Sequence, residues 1–137
     1  MKKLGKRAIL LIMVLIGMLS LISCGKSEVV TTEKVTVTKI SSEDAKKIMD
    51  EDKNIVILDV RTEDEYNSGH IENSILISVD DLEDNAEEIL KDKDQKILVY
   101  CRTGNRSNTA GKTLNEMGYT NVYDFGGINS WKYELVK

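Results

Sequence analysis

The sequence predicts a single α/β domain built on a mostly parallel sheet of about five strands with helices on both faces. Strand-like and helix-like patterns alternate along the chain, the arrangement that gives parallel sheets flanked by helices. Ile55 to Leu58 and Ile97 to Tyr100 are continuous apolar runs, the mark of strands covered on both faces. The 114 residues from Cys24 onward are one domain's worth, enough for a core without disulfides, a structural metal or a partner.

Taken in order, Val35 to Ile40 alternates β-branched and polar residues and reads as an edge or half-buried strand. Ser41 to Asp44 has the spacing of a capping box, and Ala45, Ile48 and Met49 form an apolar stripe at helical intervals. After a break at Asp50 to Asn54 comes the buried strand Ile55 to Leu58, which emerges at Asp59-Val60-Arg61. Thr62 to Glu65 offers a second capping box for a short helix ended by Gly69. Ile75 to Ile77 is a further short strand, and Asp80 to Leu90 an acidic-fronted helix with a solvated face. Strand Ile97 to Tyr100 runs straight into Cys101-Arg102-Thr103-Gly104-Asn105-Arg106-Ser107. Ala110, Leu114 and Met117 then share one helical face, with Gly118 as the C-terminal cap. Asn121 to Tyr123 is the last strand, and Gly126-Gly127 turns into a short helix holding Trp131. In parallel sheets ligands sit at the carboxyl ends of the strands, where both Asp59-Val60-Arg61 and Cys101 fall.

Before this domain, Met1 to Arg7 carries Lys2, Lys3, Lys6 and Arg7, and Ala8 to Ile22 is an almost unbroken apolar run of 15 residues ending at Ser23-Cys24. The pattern resembles a bacterial lipoprotein signal. The run is shorter than the ~20 residues that span hydrocarbon, which favours a cleaved signal at 1–23 over an uncleaved anchor. The resemblance implies that Cys24 is lipidated. The expectation is then a polar tether at 24–34, a domain at 35–137, and a protein held on the cell membrane outside the cytoplasm.

Without the four cations of the signal, the formal charge of −4 becomes about −8. An acidic chain with no cluster of Lys and Arg interleaved with aromatics excludes nucleic-acid binding as its main role. Two cysteines are too few for a disulfide scaffold, and a lone histidine, His70, with one remaining cysteine cannot assemble a metal site. No nucleotide-binding loop occurs, so no cofactor is expected, and a monomer suffices.

Chemistry concentrates at Cys101. A cysteine between a buried strand and a helix start faces unpaired backbone N–H groups and the positive end of the helix dipole, which stabilise its thiolate. Gly104 supplies freedom for the loop to curl, and Arg102 and Arg106 add positive charge for an anionic substrate. The loop reads as an anion cradle with sulfur at its floor.

Four pieces together resemble the rhodanese-like family in its single-domain sulfurtransferase form: Leu58-Asp59-Val60-Arg61, Gly69-His70-Ile71, Tyr100 to Ser107, and Gly126-Gly127 with Trp131. The resemblance implies that Cys101 takes sulfane sulfur from a small anionic donor such as thiosulfate or polysulfide. It becomes a persulfide and passes that sulfur to a thiophilic acceptor, cyanide or a thiol. It further implies that Arg102, Thr103, Gly104, Asn105 and Arg106 hold substrate, with backbone groups mattering more than most side chains. Asp59, Arg61 and Ser107 are expected to support the site from behind, and His70 and Trp131 to pack. Glu72-Asn73-Ser74 departs from the family's usual Pro-Gly turn after His-Ile.

Two other functions compete. One is a cysteine phosphatase or arsenate reductase, whose anion loops place five residues between Cys and Arg, whereas Cys101 and Arg106 enclose four. The other is a module that binds persulfide or docks a partner without turnover.

Overall fold

The computed structural model describes residues 36–137. The signal at 1–23, Cys24 and the tether at 24–34 lie outside the described residues. Five strands form one sheet: β1 (Thr38–Lys39), β2 (Ile55–Asp59), β3 (Ser74–Leu76), β4 (Lys96–Cys101) and β5 (Val122–Gly127). Their order across the sheet is β1-β5-β4-β2-β3, and every pairing is parallel. The helices are α1 (Ser42–Glu51), α2 (Glu63–Ser68), α3 (Leu82–Ile89) and α4 (Asn105–Glu116), followed by a 3-10 turn at Ile128–Ser130.

The period of two along the central strands sorts side chains between two cores. Val56 and Leu58 of β2 and Ile97, Val99 and Cys101 of β4 face α3 and α4, where Leu82, Ala86, Ala110 and Leu114 are buried. Ile57, Leu98 and Tyr100 point the other way, against Ala45 and Met49 of α1 and against Ile71 and Phe125. Burying each large apolar side chain here contributes about 1.5–3 kcal/mol. The same alternation decides which face the reactive thiol shares. Cys101 falls on the α4 side, directly below that helix's first turn.

Caps fix the helix starts. Ser41 Oγ accepts from Asp44 N–H at 3.0 Å, but the Asp44 carboxylate returns to the Ser41 hydroxyl at 2.7 Å, so the expected box closes through the side chain. Thr62 and Glu65 make the complete reciprocal box, at 3.0 and 3.3 Å. At the end of α4, Gly118 takes φ +92°. Its N–H bonds Asn115 O and the N–H of Tyr119 bonds Leu114 O, a Schellman closure.

Several boundaries differ from the sequence reading. Of the expected first strand, Val35 lies outside the described residues, and among those described only Thr38 and Lys39 pair, with Tyr123 and Asp124 of β5. Helix α3 starts at Leu82, since Ser78 closes a turn onto Asp81 N–H first. β5 runs on to Gly127: past a register shift between Val99 and Cys101, it still pairs Cys101 with Gly127. Trp131 follows the 3-10 turn and packs between Phe125, tilted at 5.8 Å, and Tyr133, edge-on at 4.9 Å between centroids. In place of Pro-Gly, the turn after Ile71 is closed by Ser74 N–H on Ile71 O. Asn73 takes φ +63°, a conformation Asn tolerates better than most residues.

Candidate active site

Strand β4 delivers Cys101 to the carboxyl edge of the sheet, and three residues later Gly104, at φ +105°, opens α4. The curl aims backbone donors inward. Gly104 N–H donates to Cys101 Sγ at 3.0 Å, and the Ser107 hydroxyl lies 3.6 Å from the sulfur. Cys101 is 0% exposed, and burial alone would push its thiol up. Hydrogen bonds from the backbone and hydroxyl of Ser107, then from the backbone of Gly104 and Thr103, outweigh that burial and hold it below the ordinary thiol range.

Ser107 joins the loop to β5. Its oxygen stands 3.1 Å from Gly104 O and 3.2 Å from Gly126 O, and with one proton it donates to one of them at a time. Gly126 is itself fixed by its N–H on Asp124 Oδ1 at 2.9 Å, and the buried Asp124 is ion-paired with Lys39. Gly127 lies flat against the loop: a Cβ there would stand 2.2 Å from Arg102 O. Asn129 N–H holds that same carbonyl at 3.2 Å.

The remaining expected residues separate into three groups. Arg102, Thr103 and Asn105 are exposed, and Arg102 makes no ion pair among the described residues. Arg106 is engaged: its Nη1 and Nη2 donate to the two carboxylate oxygens of Glu65 at 2.7 and 2.8 Å. This bond, first among the causes, holds the Glu65 carboxyl down at about 2 and raises Arg106, which also feels the charge of Cys101. Asp59 and Arg61 form a buried forked pair, with contacts of 2.6 to 3.0 Å. Arg61 Nη2 continues to Gly69 O at 2.8 Å, so the pair ties the end of β2 to the Gly69-His70 turn.

The His70 ring stacks on Tyr66 at 3.7 Å, with Nδ1 3.0 Å from Tyr66 O, and its backbone pairs with Val136. Trp131 lines a cleft of about 480 Å³ with Met49, Ile57 and Ile71, on the core face opposite Cys101. Among the described residues no cluster of three His, Cys, Asp or Glu is placed to hold a metal.

Glu65 is the participant that sequence reasoning missed. The capping box marked it, but as a helix-start device only. That one carboxylate closes the cap and also holds Arg106, 41 residues away, is visible only once α2 and α4 meet over the loop.

A thiol held below its ordinary range, at the floor of a loop of backbone N–H groups and at the carboxyl edge of an all-parallel sheet, is chemically able to act as a nucleophile. The rhodanese-like domain model matches residues 41–134, and the chain belongs to that family. It is 38% identical over 81 residues to thiosulfate sulfurtransferase GlpE of Coxiella burnetii, covering 58% of this chain and 74% of the relative. It is 32% identical over 80 residues to thiosulfate sulfurtransferase PspE of Escherichia coli, covering 58% and 77%. The crystal structure of a rhodanese-like domain protein from Staphylococcus aureus superposes with TM-score 0.65 at 31% identity, covering 73% of this chain and 97% of that one.

Proposed function

We propose that the protein is a sulfurtransferase in which Cys101 carries sulfane sulfur as a persulfide. The observation that carries this reading is the Cys101 sulfur itself, buried, held below its ordinary pKa and met by Gly104 N–H at 3.0 Å. The thiolate attacks the outer sulfur of thiosulfate. An S–S bond forms to Sγ, the S–S bond to the sulfonate breaks, and sulfite leaves with the electron pair. No proton moves, so no general acid or base is required. The terminal persulfide anion then sits among the N–H groups from Arg102 to Arg106, and attack by cyanide or a thiolate acceptor removes it and restores the thiolate.

Ser107 fits both protonation states of the nucleophile. In the thiol state its oxygen accepts from Cys101 and its proton rests on Gly104 O or Gly126 O; on ionisation the proton turns to the sulfur. Phosphoryl chemistry is the weaker reading, because the Arg106 guanidinium that would clamp a phosphate is already forked onto Glu65.

We also propose that Cys24 carries a lipid that holds the domain, as a monomer, on the outer side of the cell membrane. Support comes from the cationic start, the 15-residue apolar run and Ser23-Cys24. In a bacterial host, Cys24→Ala is expected to lose the lipid and leave the membrane fraction; retention of both would refute the anchor.

Intact-protein mass spectrometry with and without thiosulfate or polysulfide tests the chemistry. The expected result is a gain of one sulfur, reversed by cyanide with release of thiocyanate and absent from Cys101→Ser. No adduct from either donor would refute the reading and leave a docking module.

A further inference from the structure

The loop holds two cations, and they differ in availability. Arg102 is exposed and makes no ion pair among the described residues, whereas both Nη atoms of Arg106 are taken by Glu65. Both partners of that pair are partly buried, with side chains 32% and 25% exposed, so the carboxylate is held on the loop's Arg106, which itself feels the charge of Cys101, without being dispersed in solvent. Its Oε2 also accepts the Thr62 backbone N–H and hydroxyl, each at 3.0 Å, which anchors it from the α2 side. Behind it, the Asp59–Arg61 pair contributes no net charge either. The cradle itself is therefore left with backbone dipoles, and Arg102, exposed to solvent, is the loop's one cation not neutralised by an ion pair among the described residues.

Resting on the sulfurtransferase reading, we propose that Glu65 is a specificity-determining residue. By cancelling Arg106 it biases the cradle toward sulfur donors carrying one negative charge or none, at the expense of dianions.

Two donors isolate charge from chemistry. Thiosulfate is a dianion; methanethiosulfonate replaces one of its oxygens by a methyl group and is a monoanion of similar size. With thiosulfate, thiolate and dianion become persulfide anion and sulfite dianion; with methanethiosulfonate, thiolate and monoanion become persulfide anion and methanesulfinate. Each reaction makes one S–S bond and breaks another, with no proton transferred.

The readout is the ratio of kcat/KM for thiosulfate to that for methanethiosulfonate, with cyanide as acceptor, in the full chain and its variants. Glu65→Gln keeps the residue type that closes a capping box and nearly the same shape, so α2 retains its start. It is expected to raise the ratio about tenfold, the order of one additional unit-charge interaction near a protein surface. Arg106→Gln alone leaves the carboxylate uncompensated and is expected to lower the ratio by about tenfold. The double variant is expected to return it to the unsubstituted value within about twofold, because the pair is removed as a unit. A ratio unmoved by Glu65→Gln in a folded protein overturns the proposal, as does a double variant that stays as low as Arg106→Gln, which would mean Arg106 serves substrate independently of Glu65. Failure of both donors to load the unsubstituted protein would instead overturn the sulfurtransferase reading.

Discussion

Removing the Ser107 hydroxyl separates thiolate stabilisation from the architecture that produces it. In Ser107→Ala the sulfur keeps its 3.0 Å contact with Gly104 N–H and the backbone N–H groups, and loses the hydroxyl 3.6 Å away, which accepts from the thiol and is free to turn its proton to the thiolate. A hydrogen bond to a charged group is worth about 1.5–3 kcal/mol, and the length of this one places it at the bottom of that range. About 1.4 kcal/mol of thiolate stabilisation is tenfold in the ionisation equilibrium, so the Cys101 pKa is expected to rise back toward the ordinary thiol range. The thiolate fraction at neutral pH then falls up to about tenfold, and the sulfur-loading rate falls with it.

The assay is ultraviolet thiolate absorbance against pH, read alongside the pH dependence of kcat/KM for the donor; both midpoints should move together. Stability follows with a definite sign. Because the folded pKa of Cys101 lies below the unfolded one, its ionisation stabilises the fold fully above the unfolded pKa, and that contribution is lost as pH falls through the folded value. Ser107→Ala should shrink this increment. A folded variant whose thiolate midpoint does not move would refute the hydroxyl's part in the site and leave the backbone groups as sole cause.

Two further perturbations test the frame around the loop. Asp59→Ala strands the 5% exposed Arg61 without its carboxylate and is expected to cost about 3–5 kcal/mol in denaturant unfolding; a loss below about 1 kcal/mol would show the guanidinium finding another partner. Gly127→Ala drives a methyl group to 2.2 Å from Arg102 O, so the loop must shift. A cost of about 1–3 kcal/mol with a lowered loading rate is expected, and a variant with native rate and stability would refute the close packing of β5 on the loop.

Much of this molecule is written locally. The continuous runs at Ile55 to Leu58 and Ile97 to Tyr100 specify buried central strands because they are rich in β-branched residues and too short for a buried helix. The cap at Thr62 and the glycine at 118 mark helix ends through bonds made within a few residues, so they are readable from spacing alone. Where a boundary depended on a neighbour, it slipped. β1 is two residues long because its partner β5 decides how much of it pairs, and β5 runs to Gly127 because β4 carries a register shift.

By itself, then, the sequence determined the order of elements, the placing of Cys101 between a strand and a helix start, and the four motifs that mark the family, all of which rest on short-range pattern. Only the tertiary structure decided the electrostatic state of the site. Glu65 and Arg106 are 41 residues apart, Ser107 and Gly126 are 19, and Gly127 meets Arg102 across two strands. Such pairings have no sequence period, because they are set by how α2, α4 and β5 converge at one edge of the sheet. A hydrogen bond acts only within a few ångströms, so until that convergence exists Arg106 is a free cation, whereas the donors that lower the Cys101 thiol lie within its own loop.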